Sequence, residues 1–94
     1  MYMLRIEHTV LNYDGWKQAF DSDPVGRKAS GVRRYRVLRA SDKPDHVMID
    51  LEFDTPQQAE ALLAGLRVVW GRIEGQIILA PQAQIAEIVE TKEY

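Results

Sequence analysis

"VRRYRVLR" (Val32–Arg39), followed after a short gap by "HVMIDLEF" (His46–Phe53), is the stretch that decides the fold. The first segment has the β-branched and aromatic content of a strand, yet four of its eight residues are arginine. The second alternates strictly, with Val47, Ile49, Leu51 and Phe53 on one face and His46, Met48, Asp50 and Glu52 on the other. A period of two is what a half-buried strand requires. "SDKPD" (41–45) between them has the composition of a turn. If Ala40 stands opposite His46, an antiparallel ladder pairs Leu38 with Met48, Arg36 with Asp50 and Arg34 with Glu52. The other face then pairs Val37 with Ile49 and Tyr35 with Leu51. One register puts base against acid on one side and apolar against apolar on the other, and a slip of one residue ruins both. Arg34 and Arg36 are therefore expected to be partnered within the sheet, at roughly 0.2–1 kcal/mol per opposed pair. Arg33 and Arg39 fall near strand ends, where a long side chain can bend out to water.

Upstream of the hairpin, Leu4, Ile6, His8 and Val10 alternate with Met3, Arg5, Glu7 and Thr9, which predicts a strand over residues 3–10. Asp14 suits a helix N-cap, with Trp16, Ala19 and Phe20 at helical spacing behind it. That helix should fade near Asp23, because Pro24 disfavours helix at the residue before it. Gly26 and Gly31 bracket a short connection. Downstream, Asp54 or Thr55 caps a second helix, Pro56 suits its first turn, and Ala59, Leu62, Leu63, Leu66, Val69 and Trp70 form one apolar stripe. Gly71 and Gly75 are expected to loosen the chain, "QIILAP" (76–81) to be a connector, and "AQIAEIVE" (83–90) to be the last strand. The order is βαββαβ, the ferredoxin-like pattern. It predicts a single α+β domain over residues 1–94, with a four-stranded antiparallel sheet and both helices on one face.

Composition narrows the function. Ninety-four residues with 46% hydrophobic and 28% charged content describe an ordinary globular domain. Twelve basic residues against fourteen acidic give a net charge of −2, so no general attraction to polyanions is expected. RNA-recognition modules share this strand order but need stacking aromatics on the central strands, where this chain offers charges. The lack of cysteine excludes disulfides and thiolate metal sites and fits a reducing compartment. Arg5 and Glu7 interrupt the apolar N-terminus, so it does not read as a signal peptide, and no apolar run approaches a membrane span. The expected setting is the cytoplasm, with no membrane or nucleic-acid partner.

Three segments carry a resemblance to a known group: "YDGWKQAFDSDP", "GVRRYRVLRASDKPDHVMIDLEFDTPQQAEALL" and "PQAQIAEIVE". With them the chain resembles the dimeric α+β barrel superfamily, which includes antibiotic-biosynthesis monooxygenases and small polyketide cyclases. The resemblance implies a homodimer, two sheets packed face to face about a two-fold axis, with the polar sheet face turned inward. It also implies that "QIILAP" or the C-terminal strand reaches toward the partner. Haem-degrading members carry a histidine on the second helix; residues 55–70 contain none, so no haem is expected. Cofactor-free monooxygenases of the group tend to use asparagine and tryptophan near the pocket, and Asn12 and Trp70 are the loose counterparts.

The candidate site residues follow from these two lines. His8 lies on the apolar face of its strand, as a general base near neutral pH would, or as a core-edge histidine satisfied by a neighbour. Arg34 and Arg36 either complete an ion ladder with Glu52 and Asp50 or hold an anionic ligand. Tyr35 and Trp70 are either core or pocket wall. His8 and His46 do not have the spacing of a shared metal site, and "GRIEG" (71–75) is not a phosphate loop. The expected function is a small-molecule-binding homodimer without a cofactor. It would oxygenate, cyclise or isomerise a small aromatic or polyketide-like compound, with His8 as proton acceptor and Arg34 or Arg36 stabilising an anion. The competing class is a non-catalytic metabolite-binding or structural dimer.

Overall fold

The computed structural model describes residues 1–94. In chain order the elements are β1 (Tyr2–Val10), α1 (Tyr13–Asp21), β2 (Arg34–Ala40), β3 (Lys43–Phe53), α2 (Pro56–Ile73) and β4 (Ile78–Glu87). The strands form one antiparallel sheet in the order β2-β3-β1-β4. Leu4, Ile6, Val47, Ile49, Leu51 and Phe53 share one sheet face and one core with Trp16 of α1 and Leu62, Leu63 and Trp70 of α2. Both helices therefore cover the same face, and the fold is ferredoxin-like α+β. No helix is long and apolar enough to cross a membrane.

The β2–β3 register is the one that satisfies both faces: Arg34 opposite Glu52, Tyr35 opposite Leu51, Arg36 opposite Asp50, Val37 opposite Ile49 and Leu38 opposite Met48. The hairpin tip differs from the expected five-residue turn. The register shifts between Arg39 and Ala40, Ala40 pairs with Lys43, and β3 begins at Lys43. Pro44 is tolerated there because β1 reaches along β3 only as far as His46, so the missing N–H interrupts no ladder bond on that side.

The ends of α1, α2 and β4 also depart from expectation, apart from the Thr55 cap. Asn12, not Asp14, caps α1: its backbone is extended and its side chain accepts the Gly15 N–H at 2.8 Å. Asp14 lies inside the first turn, where its charge favours the helix N-terminus. Thr55 caps α2, with a reciprocal bond from Gln58. Gly71 does not loosen α2, which continues to Ile73; the chain turns at Gly75 (φ 85°) instead. "QIILAP" is not a connector. Most of it is β4, because Ile78 is fully buried and Val10 and Thr9 need partners on that edge. The strand is bulged where Glu7 faces Gln82 but Thr9 faces Leu79, with Ala80 at φ 52° and the N–H-less Pro81 in the bulge. β4 ends at Glu87, and the Ile88 N–H reaches back to the Met1 carbonyl at 2.9 Å.

Candidate functional site

Two polar side chains are buried, one on each face of the sheet: His8 at 3% exposure and Asp50 at 4%. Strand alternation puts them there. Even-numbered residues of β1 point to the helices, whereas the even-numbered residues of β3 point away from them. Each is the centre of a different arrangement.

On the helix side, a cavity of about 250 Å³ lies between the sheet and the two helices, and 12 of its 16 lining residues are hydrophobic. Ile49 and Leu51 form its floor, Trp16 and Phe20 one wall, Leu66 and Trp70 another. His8 enters through the wall, its ring edge-on to Trp16 with centroids 5.6 Å apart. Its Nδ1 is buried and has no hydrogen-bond partner. Burial pushes the imidazole below its ordinary value; the carbonyls of Thr9 and His8 oppose this, and His46 adds to it. The ring is therefore neutral near pH 7 and able to accept a proton. The β4 bulge at Ala80–Pro81 falls beside His8, between its neighbours Glu7 and Thr9. Bulges often stand next to sites whose side chains they aim.

From His8 the aromatic rings run outward: Trp16 to Phe20 at 5.2 Å, then Phe20 to Tyr35 at 5.2 Å. The Arg27 guanidinium lies 3.9 Å from the Phe20 ring centre and 4.9 Å from that of Tyr35. Its Nη1 donates to the Phe20 carbonyl at 2.9 Å, and its Nε lies 3.5 Å from Asp23. Asp23 holds a left-handed backbone (φ 54°) and accepts the Arg27 N–H at 2.9 Å, which fixes the segment after α1 across the cavity.

On the open face, Asp50 sits between two arginines from flanking strands. Arg5 Nε lies 3.1 Å from Oδ1 and Arg36 Nη2 lies 3.4 Å from Oδ2. Arg34 pairs with Glu52. Leu38 and Met48 lie on the same face. His46 Nε2 is 3.7 Å from Glu7 Oε2. At the hairpin base Arg33 holds Asp54 at 2.7 Å and keeps that carboxyl below its usual range.

Of the residues singled out from sequence, His8 and Trp70 meet in the cavity. Tyr35 stands at the outer end of the aromatic file, 43% exposed, and does not line the cavity. Arg36 and Asp50 lie across the sheet from His8, while Arg34, paired to Glu52, also lines a groove that adjoins the cavity at Arg27. Asn12 spends its side chain on the helix cap. No three His, Asp or Glu side chains converge as a metal site. Trp16, Phe20 and Arg27 were not singled out as site residues. The two aromatics read as ordinary core, and Arg27 lies in an aperiodic segment, where nothing in the pattern fixes its direction.

No family model and no curated relative matches the sequence. Solved structures do match the fold. The cofactor-independent oxygenase SnoaB from Streptomyces nogalater superposes with a TM-score of 0.76 at 13% identity, over 96% of this chain and 94% of that one. An antibiotic biosynthesis monooxygenase candidate from Deinococcus radiodurans gives 0.70 at 14% identity, over 100% and 98%. A dimeric ferredoxin-like protein from an uncultured marine organism gives 0.67 at 15% identity, over 97% of each. At these identities the likeness establishes the ferredoxin-like fold alone.

Proposed function

We propose that the chain is a cytoplasmic homodimer that binds a small aromatic compound in the cavity between sheet and helices, and that it oxygenates this compound without a cofactor. The observation that carries the reading is the buried, unpartnered Nδ1 of His8 in the wall of an aromatic-lined cavity. Buried polar atoms almost always have a partner. Leaving one without costs about 1–3 kcal/mol, and a turn of the ring toward the cavity would let a ligand O–H recover it. The cavity is smaller than the roughly 300–1,000 Å³ usual for drug-sized ligands, which favours a one- or two-ring compound.

In this reading neutral His8 removes a proton from a phenolic O–H or an activated ring C–H, giving an electron-rich anion in a dry pocket. Dioxygen is the oxidant. A ring CH₂ plus O₂ yields a ring C=O plus water, so electrons and atoms balance without a redox cofactor. Arg27 supplies the positive charge beside the cavity, the part that Arg34 or Arg36 had been expected to play. Trp16, Phe20 and Trp70 hold the ring in place. The neighbouring oxygenase structure supports this class, and the neighbours described as dimeric support self-association, for which the open sheet face is the surface proposed.

The test is oxygen uptake with a panel of phenols, naphthols and hydroxytetralones, alongside ligand binding. Uptake by the native chain that falls at least about a hundredfold in His8→Phe, with binding retained, supports the proposal. Uptake indifferent to His8→Phe overturns it. Binding without any uptake favours the non-catalytic metabolite-binding reading.

A further inference from the structure

Building on the cavity as a small-molecule site, we infer that its ligand has two chemically different ends: a ring in the cavity and a carboxylate in a basic groove outside it, joined at Arg27. Arg27 is the single residue that lines both spaces. The groove is lined by ten residues, two of them hydrophobic, and four of them are the cations Arg27, Lys28, Arg33 and Arg34. Its two carboxylates, Asp23 and Asp54, are already engaged, Asp54 by the Arg33 guanidinium and Asp23 by the Arg27 N–H. Arg34 is drawn to Glu52 on the far side of its strand.

Two groups in the groove remain without a protein acceptor. Lys28 is exposed and forms no ion pair. Arg27 uses Nη1 on the Phe20 carbonyl and Nε toward Asp23, and its Nη2 makes no hydrogen bond. The Arg27 side chain is only 13% exposed and lies against Phe20 and Tyr35, so it is partly desolvated and held in one orientation. A planar, pre-oriented guanidinium is what carboxylate recognition needs. The aromatic file then leads from Arg27 past Phe20 and Trp16 to His8. A ring along that file presents its far end to the imidazole while its carboxylate stays at Arg27 and Lys28.

The experiment compares 6-hydroxy-2-naphthoate with 2-naphthol, the same ring and hydroxyl with and without a carboxylate at the far end. Binding is read by quenching of the chain's two tryptophans, Trp16 and Trp70, both cavity walls. The native chain should bind the carboxylate about tenfold more tightly, and added salt should shrink the preference. Lys28→Gln should cut the affinity ratio severalfold and Arg27→Gln should abolish it. Because Arg27 also ties down the segment after α1, Lys28→Gln decides the matter if Arg27→Gln loses its fold. Equal affinities for the two probes, or a ratio unmoved in Lys28→Gln, overturns the anionic ligand class and leaves the cavity reading standing. Failure of both probes to bind overturns the two together.

Discussion

Protonating His8 inside an apolar wall is unfavourable, and the sign of its effect on stability follows. Burial lowers the folded-state value below the ordinary 6.5, so between the two values the unfolded chain binds more protons. The neutral-histidine contribution is complete above pH 6.5 and is lost as pH falls below it through the folded value. Replacing His8 by Phe removes both the titration and the unpartnered nitrogen. The unfolding free energy of His8→Phe from urea titration should equal or exceed that of the native chain at pH 7.5, by up to about 1–2 kcal/mol. The gap should widen toward pH 5.5. A native chain with stability flat across that range would contradict the burial argument. At this scale the sequence was legible where one pairing decided two residues at once. Arg34–Glu52 and Arg36–Asp50 follow from the hairpin register. Arg5 as the second partner of Asp50 does not, because it depends on how β1 aligns with β3, which no local pattern encodes.

Elements were legible in their type and less so at their ends. Helix α2 announces itself by its apolar stripe and its cap, and Thr55 with Gln58 forms the reciprocal box that starts it. Thr55→Ala should therefore cost about 1 kcal/mol in chemical denaturation, with a shortened or frayed first turn in amide exchange. β4 was misjudged because its bulge breaks the period-two pattern at Ala80–Pro81, and a proline within an apolar run reads as a break. The bulge makes a sharp prediction. At an ordinary strand position valine is preferred to glycine. At residue 80 the backbone is left-handed, which a β-branched side chain tolerates badly. Ala80→Val should lose about 1–2 kcal/mol, whereas Ala80→Gly should stay within about 0.5 kcal/mol of the native chain. If valine is the better tolerated of the two, the bulge is not as described, and the geometry beside His8 changes with it.

At the scale of the molecule, the proposed assembly rests on the open sheet face. It carries Leu38 and Met48 among side chains whose charges are already matched, Arg5 and Arg36 on Asp50 and Arg34 on Glu52. A face of this composition can be covered by a copy of itself at little cost in stranded charge, as a two-fold interface demands. The cavity lies on the opposite side of the sheet, so closing the dimer leaves its helix-side walls intact. Covering the face desolvates ion pairs that a lone subunit leaves half in water, so their partners matter more in the dimer than in the monomer. The native chain should therefore elute and scatter as a dimer at micromolar concentration. Leu38→Glu adds one unmatched charge per subunit on the face proposed as the contact. It should shift the population to monomer while leaving the fold intact by circular dichroism, because Leu38 is exposed on the edge strand of the single subunit. Leu38→Ala, which removes area and adds no charge, should weaken the dimer less. A native chain that stays monomeric at those concentrations, or a Leu38→Glu variant that remains dimeric, would remove the open face as the interface.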